Sequence, residues 1–215
     1  MLFKRSRILW GLAGFVLILG IAAIAAGPIM SMVEQPEYTV VTSKGAFEIR
    51  EYGPMIAAEA EVAGERQAAI AEGFRIIAAY IFGANKPNAK IEMTAPVQQQ
   101  REQTIAMTAP VTQQGDGGKW KVRFIMPKTW TMETLPAPTD TRVRLIQLPA
   151  KKMVAFRFTW RATDSLIAEK TAELRKYVRA EKLVTVGEPL FAFYNPPWTL
   201  PFFRRNEIML ELAGT

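Results

Sequence analysis

Residues 119–126 read Lys-Trp-Lys-Val-Arg-Phe-Ile-Met. Trp120, Val122, Phe124 and Met126 alternate with Lys119, Lys121 and Arg123, and a period of two marks a strand with one face buried and one in water. Working outward, Val154, Phe156, Phe158 and Trp160 repeat the pattern, with Lys152 and Arg157 between and before them. Upstream, Phe47 and Ile49 alternate with Ala46, Glu48 and Arg50. Gly53-Pro54 then turns the chain, and Met55 to Val62 reads as another strand.

Two helices interrupt these strands. The first is expected from about Glu65 to Phe82, where Ile70, Phe74, Ile77 and Ile81 recur on one face and Gly83 is a natural stop. The second is expected from about Asp164 to Glu181. Thr163, Asp164 and Ser165 are its capping candidates, and Ile167, Leu174, Tyr177 and Val178 lie on one side.

The order strand, tight turn, strand, helix, loop, strand describes both Ala46–Val97 and Arg142–Asn195, with Pro149 at the second turn. Two β-β-α-β units argue for an α+β fold with pseudo-twofold symmetry, joined through the Pro- and Thr-rich stretch Thr131–Thr141. A literal repeat lies inside it. Lys90–Val97 (KIEMTAPV) is echoed by Thr104–Val111 (TIAMTAPV), and in both copies Ile, Met, Ala and Val fall on alternate positions. The Gln-rich connection Gln98–Gln103 predicts a hairpin. Proline removes a ladder donor, so Pro96 and Pro110 suit edge or bulge positions.

The 215 residues carry 27 basic and 20 acidic side chains, a formal charge of +7, and neither cysteine nor histidine. The absence of cysteine excludes disulfides, thiolate metal sites and covalent haem attachment. The absence of histidine removes the commonest metal ligand and the usual neutral-pH base. No Ser-His-Asp set, metal-ligand cluster or phosphate-cradling glycine loop occurs, so no catalytic and no metal-binding residues are assigned and the chain is not read as an enzyme. Glu48, Glu51 and Glu92 read as polar-face residues of strands. Met93, Met107, Met126 and Met153 could ligate iron, but at strand spacing they read as core.

Lys4, Arg5 and Arg7 precede an uncharged apolar stretch from Ile8 to Ala26, and no further charge appears until Glu34. At about 1.5 Å per residue a helix of this length reaches roughly 28 Å, close to the hydrocarbon thickness of a bilayer. The basic flank predicts a cytoplasmic N-terminus and a folded domain on the periplasmic or extracellular side. Ala23, Ala25 and Ala26 also fit a signal-peptide cleavage site, and either reading exports the domain. The expected organisation is a transmembrane anchor (or uncleaved signal) over 1–30, a linker over 31–36 and one domain over 37–215. Nucleic acid is not an expected partner, because the basic excess is modest and spread out.

Phe47–Tyr52 (FEIREY), Lys90–Val97, the second MTAPV, Tyr194–Trp198 (YNPPW) and Arg204–Leu212 (RRNEIMLEL) together resemble the SOUL, or haem-binding protein, family over roughly residues 38–212. The resemblance implies a distorted antiparallel β-barrel flanked by two α-helices and built from two repeated halves, an architecture also similar to the effector-binding domains of multidrug-sensing regulators. It implies non-covalent binding of haem or another tetrapyrrole in a cleft between the first helix and the loop joining the last two strands. Carried onto this chain, the helix wall is Ile70, Phe74 and Ile77, and the loop side is Pro197, Trp198, Phe202, Arg204 and Arg205. Histidine cannot serve as axial ligand here, and Ala71 stands where some members carry a propionate-binding arginine. Arg66, Arg75, Arg204 and Arg205 are the candidate replacements.

A porphyrin is a flat apolar disc with two carboxylates, which calls for aromatic walls and guanidinium groups at the rim. Trp198 to Arg205 supplies both within one loop. The same loop could instead be a core cover whose arginines pair with Glu207 or Glu211, or a surface resting on anionic lipid. The functional expectation is therefore a membrane-anchored tetrapyrrole carrier or buffer. The alternatives are an envelope interaction or scaffold protein without a ligand and, third, an enzyme acting on a tetrapyrrole.

Overall fold

The computed structural model describes residues 33–86, 105–116 and 118–214. The expected N-terminal anchor, the first MTAPV copy and the Gln-rich connection lie outside them. Among the described residues no helix is long and apolar enough to cross a membrane. The strands are β1 (Tyr38–Lys44), β2 (Phe47–Tyr52), β3 (Met55–Ala63), β4 (Asn85–Lys86), β5 (Val111–Asp116), β6 (Lys119–Ile125), β7 (Ala137–Pro138), β8 (Val143–Leu148), β9 (Lys151–Phe158), β10 (Thr185–Phe193) and β11 (Asn206–Leu212). The helices are α1 (Arg66–Ile81) and α2 (Asp164–Ala180).

Nine strands form one antiparallel sheet in the order β1-β2-β9-β11-β10-β5-β6-β3-β8, and β4 pairs with β7 apart from it. Leaving out β1, the order reads the same from either end once β2, β3, α1, β5 and β6 are matched to β8, β9, α2, β10 and β11. The expected pseudo-twofold is therefore present, and each half carries one strand more after its helix than the β-β-α-β reading. The turns at Gly53-Pro54 and Pro149-Ala150 do not close hairpins. β2 pairs with β9 and β3 with β8, so Tyr52 faces Lys151 while Met55 faces Leu148. Each half thus lends its first strand to the other.

The expectation of a barrel is corrected, because the sheet stays open with β1 and β8 at its edges. Alternating hydrophobicity fixes which face of a strand is buried, but it carries no information on whether two edge strands meet. Val40 and Val41 on β1 are accordingly solvent-exposed.

Each helix covers one half. α1 packs on β3, β6 and β8, placing Ile76, Ile77, Tyr80 and Ile81 against Ala58, Val122 and Phe124. α2 packs on β9 and β11 and buries Ile167, Leu174 and Val178 against Phe156, Ile208 and Leu210. Phe47 sits between Phe156 and Tyr177, with ring centroids 4.4 and 4.2 Å away. Thr163 accepts from the Leu166 amide and is the N-cap of α2. α1 has no side-chain cap; instead its buried Arg66 donates to Asp164 at 2.7 Å and to the Ala162 carbonyl at 2.8 Å, tying the starts of the two helices together. On the sheet face away from α2, Tyr52, Met153, Ala155, Ala192, Tyr194 and Met209 form a third cluster. Met153 and Met126 are core, whereas Met107 is exposed.

In the second MTAPV copy, Ile105 and Ala109 are buried but the alternation breaks at Met107. Pro110 is not at an edge or bulge. It stands immediately before β5, a strand paired on both sides, at the one place where a missing amide costs the ladder nothing.

Candidate functional site

The loop 194–205 joins β10 to β11 and is shaped by its prolines, which fix φ and remove donors at Pro196, Pro197 and Pro201. The Thr199 amide donates to Pro196 O at 3.0 Å, and Phe203 and Arg204 donate to Leu200 O and Pro201 O, closing a 3-10 turn over Pro201–Phe203. Its ends are pinned where the Arg205 amide donates to Asn195 Oδ1 at 2.6 Å and the Tyr194 amide to Arg205 O at 3.2 Å. Thr199 turns inward and is buried, while Trp198, Leu200, Phe202 and Phe203 stay exposed.

Beside this loop lies the end of β9. Trp160, expected as the last inward residue of that strand, lies beyond it with φ 88°, a value incompatible with extended backbone. Its amide donates to Pro201 O at 2.9 Å and its carbonyl accepts from Asn206 Nδ2 at 2.9 Å, so the indole is turned out next to the loop at 55% exposure. Trp198 is 66% and Phe202 53% exposed, and the rings of Phe202 and Phe203 meet at 4.6 Å. We call these exposed side chains, on the loop and on the segment bonded to it, the aromatic shelf.

Two guanidinium groups stand at the shelf. Arg204 donates through Nε to Thr199 O at 2.8 Å and through Nη2 to Pro197 O. Burial, and the like charge of Arg161, hold its guanidinium below its ordinary value. Among the described residues neither Arg161 nor Arg204 forms an ion pair with an acid.

Arg205 has a different role. It donates to Glu207 through Nε at 2.9 Å and Nη2 at 2.8 Å, lies over the Tyr194 ring at 3.9 Å, and reaches Gln35 Oε1 at 3.1 Å. Its expected rim position is corrected, because its charge is spent on a buried carboxylate. On the helix side Ile77 is fully buried and is core, which corrects its expected place in a cleft wall. Ile70 is half-buried against the same core, and Phe74 is exposed with its ring 5.4 Å from Phe124. Pro197 is exposed at the head of the shelf. Arg66 is buried where it grips the segment 162–164, and Arg75 is exposed on α1 and pairs with Glu72 one turn away. Of the two walls expected to face each other, only the start of α1 is tied toward the loop, through the 160–164 segment, which Arg66 holds at one end and Pro201 at the other.

Clefts also open elsewhere among the described residues. One, of about 1090 Å³, lies under the N-terminal strap 34–39 and is lined by Tyr38, Met55, Met126 and Trp130 among others. Among the described residues its lining carries Glu34, Glu37 and Glu51 against one cation, Lys128. Another, of about 90 Å³, lies between the two halves around Tyr52, Met153 and Met209. Like charges about 6 Å apart repel by roughly 3 kcal/mol at an effective dielectric near 20, so the large cleft disfavours a dicarboxylate and the shelf favours one. None of the eight expected site residues lines either cleft.

Sequence reasoning missed Trp160 and Arg161. Their signal was present in the aromatic followed by arginine, the same pairing as Phe203-Arg204, but strand alternation assigned Trp160 to the core.

The fold is similar to solved structures at low identity. The C-terminal domain of EcmrR matches with a TM-score of 0.58 at 12% identity, over 83% of this chain and 99% of that one. A hydrolase from Listeria innocua matches with a TM-score of 0.51 at 14% identity, over 80% of this chain and 94% of that one. At these identities the likeness is one of fold alone. No curated protein matches the sequence. The family model described as SOUL heme-binding protein matches residues 33–211, most of the chain, and the chain therefore belongs to the SOUL heme-binding protein family.

Proposed function

We propose that this protein binds a tetrapyrrole, or a ligand of the same flat amphipathic kind, on the aromatic shelf for carriage or buffering. In this reading residues 8–26 anchor it to a membrane and the folded domain lies outside the cytoplasm. The observation that carries it is the coincidence, in a chain of a haem-binding family, of exposed Trp160, Trp198, Phe202 and Phe203 with Arg161 and Arg204, guanidiniums without an acid partner among the described residues. The aromatic faces would take the macrocycle, and the two guanidiniums its carboxylates. Phe74 and Ile70 would extend the wall on the α1 side. The chain has no histidine, so binding depends on the macrocycle and its acids rather than on imidazole ligation.

The test is titration of the full chain in nanodiscs with haemin and with metal-free protoporphyrin. Both should bind saturably, within about tenfold of one another, or roughly 1.4 kcal/mol. Saturable binding of neither would sink the proposal in favour of a scaffold role. A reporter fused after Thr215 checks the topology, and activity is expected only on the non-cytoplasmic side.

A further inference from the structure

The shelf leaves Trp160, Trp198, Leu200, Phe202 and Phe203 in solvent on adjoining segments. A soluble domain rarely leaves a contiguous patch of large apolar groups bare unless something covers it. We propose that a phospholipid surface carrying negative charge covers this one, so that the loop 196–203 and Trp160 rest in the headgroup region of the bilayer. The proposal rests on residues 8–26 entering that bilayer.

Three observations support lipid as the occupant. The first is composition. Tryptophan favours the boundary between headgroups and acyl chains, phenylalanine and leucine bury at its apolar side, and the prolines hold the loop stiff. The second is charge. Neither 156–163 nor 195–205 contains an acid, and the arginines Arg161 and Arg204 stand among the aromatics. The acids nearest these segments are engaged elsewhere: Glu207 is buried against Arg50 and Arg205, Asp164 pairs with Arg66, and Glu34, Glu37 and Glu51 line the large cleft.

The third is reach. Gln35 is held to Arg205 at 3.1 Å, and Arg205 follows Phe203 by two positions. From Ala26 to Val33 the chain spans at most roughly 25 Å when fully extended. A bilayer that takes up residues 8–26 therefore keeps the strap, and the loop bound to it, close to its surface. The shelf would then meet lipid on one side, and a tetrapyrrole, itself an amphiphile, could reach it from the lipid phase.

The chain has no cysteine, so a single one can carry a reporter. Phe202→Cys on the exposed loop and Ser43→Cys at the far end of β1 are labelled with an environment-sensitive dye in the full chain. Each is reconstituted into phosphatidylcholine vesicles with and without phosphatidylglycerol. The expected result is blue-shifted emission at 202, quenched by lipid-borne nitroxide at least about twofold more than at 43, and strongest with the anionic lipid. Protein that floats with the vesicles while position 202 remains as aqueous as 43 overturns the proposal and leaves the anchor standing. Protein that does not float overturns the anchor, and this proposal with it. A blue shift at 202 that lipid nitroxide does not quench also overturns it, since a second copy would then be covering the patch. Equal quenching in neutral and anionic vesicles overturns the part given to Arg161 and Arg204.

Discussion

Arg50 and Glu207 meet across 157 residues of sequence in a two-point pair, Nη1 to Oε2 at 2.7 Å and Nη2 to Oε1 at 3.0 Å, with both side chains shut off from solvent. Glu207 also accepts from the Tyr194 hydroxyl at 2.8 Å and from Arg205, while Arg50 reaches Glu48 at 2.7 Å and lies over the Tyr38 ring at 4.3 Å. This network ties β2 and β11 to the end of the aromatic loop and to the N-terminal strap. It is where the fold and the candidate site are joined.

Replacing Glu207 by Gln should destabilise the domain by about 3–5 kcal/mol, because the buried Arg50 and half-buried Arg205 guanidiniums lose their common partner. Burial alone would push the Glu207 carboxyl up, but the bonds and charges of Arg50 and Arg205 prevail and hold it below the usual glutamate value. A depressed carboxyl contributes stability that is present above its unfolded value of about 4.3 and lost as pH falls through the folded one. Urea unfolding of wild type and E207Q between neutral pH and pH 3 checks this. The gap between them should narrow only at the acid end, and a neutral-pH gap under about 1 kcal/mol would refute the assignment.

The alkaline side has its own signature. Burial pushes the Tyr52 hydroxyl up to about 12, against the opposing charge of Arg50, and pushes Tyr80 and Tyr194 further still. Raised groups of this kind stabilise fully below their unfolded value near 10, and that stability is lost as pH rises through the folded value. Tyrosinate absorbance and circular dichroism should therefore change together for these tyrosines as pH climbs from about 10 to 12. Their free titration near pH 10 in a folded protein would show that they are accessible.

Gly73 shows how packing can outweigh propensity. In a helix Ala is favoured over Gly by about 1 kcal/mol. Here a Cβ would stand 2.5 Å from Val122 Cγ2 and 2.6 Å from its Cβ, so the helix cannot lie on β6 as it does. Gly73→Ala should cost about 1–3 kcal/mol by denaturant unfolding, and Val122→Ala in the same chain should recover part of it. A stabilised single variant would mean that α1 sits farther from the sheet.

Much of this architecture was legible because period and burial agree. Val122 and Phe124 are buried as their alternation requires, and both helices fall within a residue or two of their expected ends. Strand-swapped halves were not legible, since Gly53-Pro54 marks a turn without saying which strands pair beyond it. The pairing of Glu207 with Arg205 is one reading of the loop from its sequence, but its pairing with Arg50 was invisible for a related reason. A charged residue on a strand reads as solvent-facing, and only tertiary pairing lets it be buried. The loop Pro197–Arg205 was legible from its residues as an aromatic and basic stretch, but that Arg205 turns to Glu207 and Ile77 to the core was not, because one loop and one helix face do not reveal which members the core consumes. Trp160 was lost to the opposite error, in which a run of alternation was carried one step past the strand.

The ligand proposal turns on Arg161 and Arg204, the two cations beside the shelf that form no ion pair with an acid among the described residues. Replacing both by Ala should weaken a dicarboxylate porphyrin by about 1–3 kcal/mol, the scale of hydrogen bonds to charged groups. Arg204 also donates to Thr199 O and Pro197 O, so its loss alone could loosen the loop. A porphyrin with esterified carboxylates separates the two effects. It still needs the aromatic shelf but not the cations, and its affinity should change little. Equal losses for both porphyrins would mean that the arginines act by shaping the loop. Trp198→Ala should do the reverse, weakening acid and ester alike. Replacing Arg205 should instead lower stability through Glu207, with porphyrin affinity falling only as the folded fraction falls. If Arg205→Ala cost the acid porphyrin more than Arg161→Ala and Arg204→Ala together, the rim would lie on the Glu207 side of the loop and the shelf would not be the site.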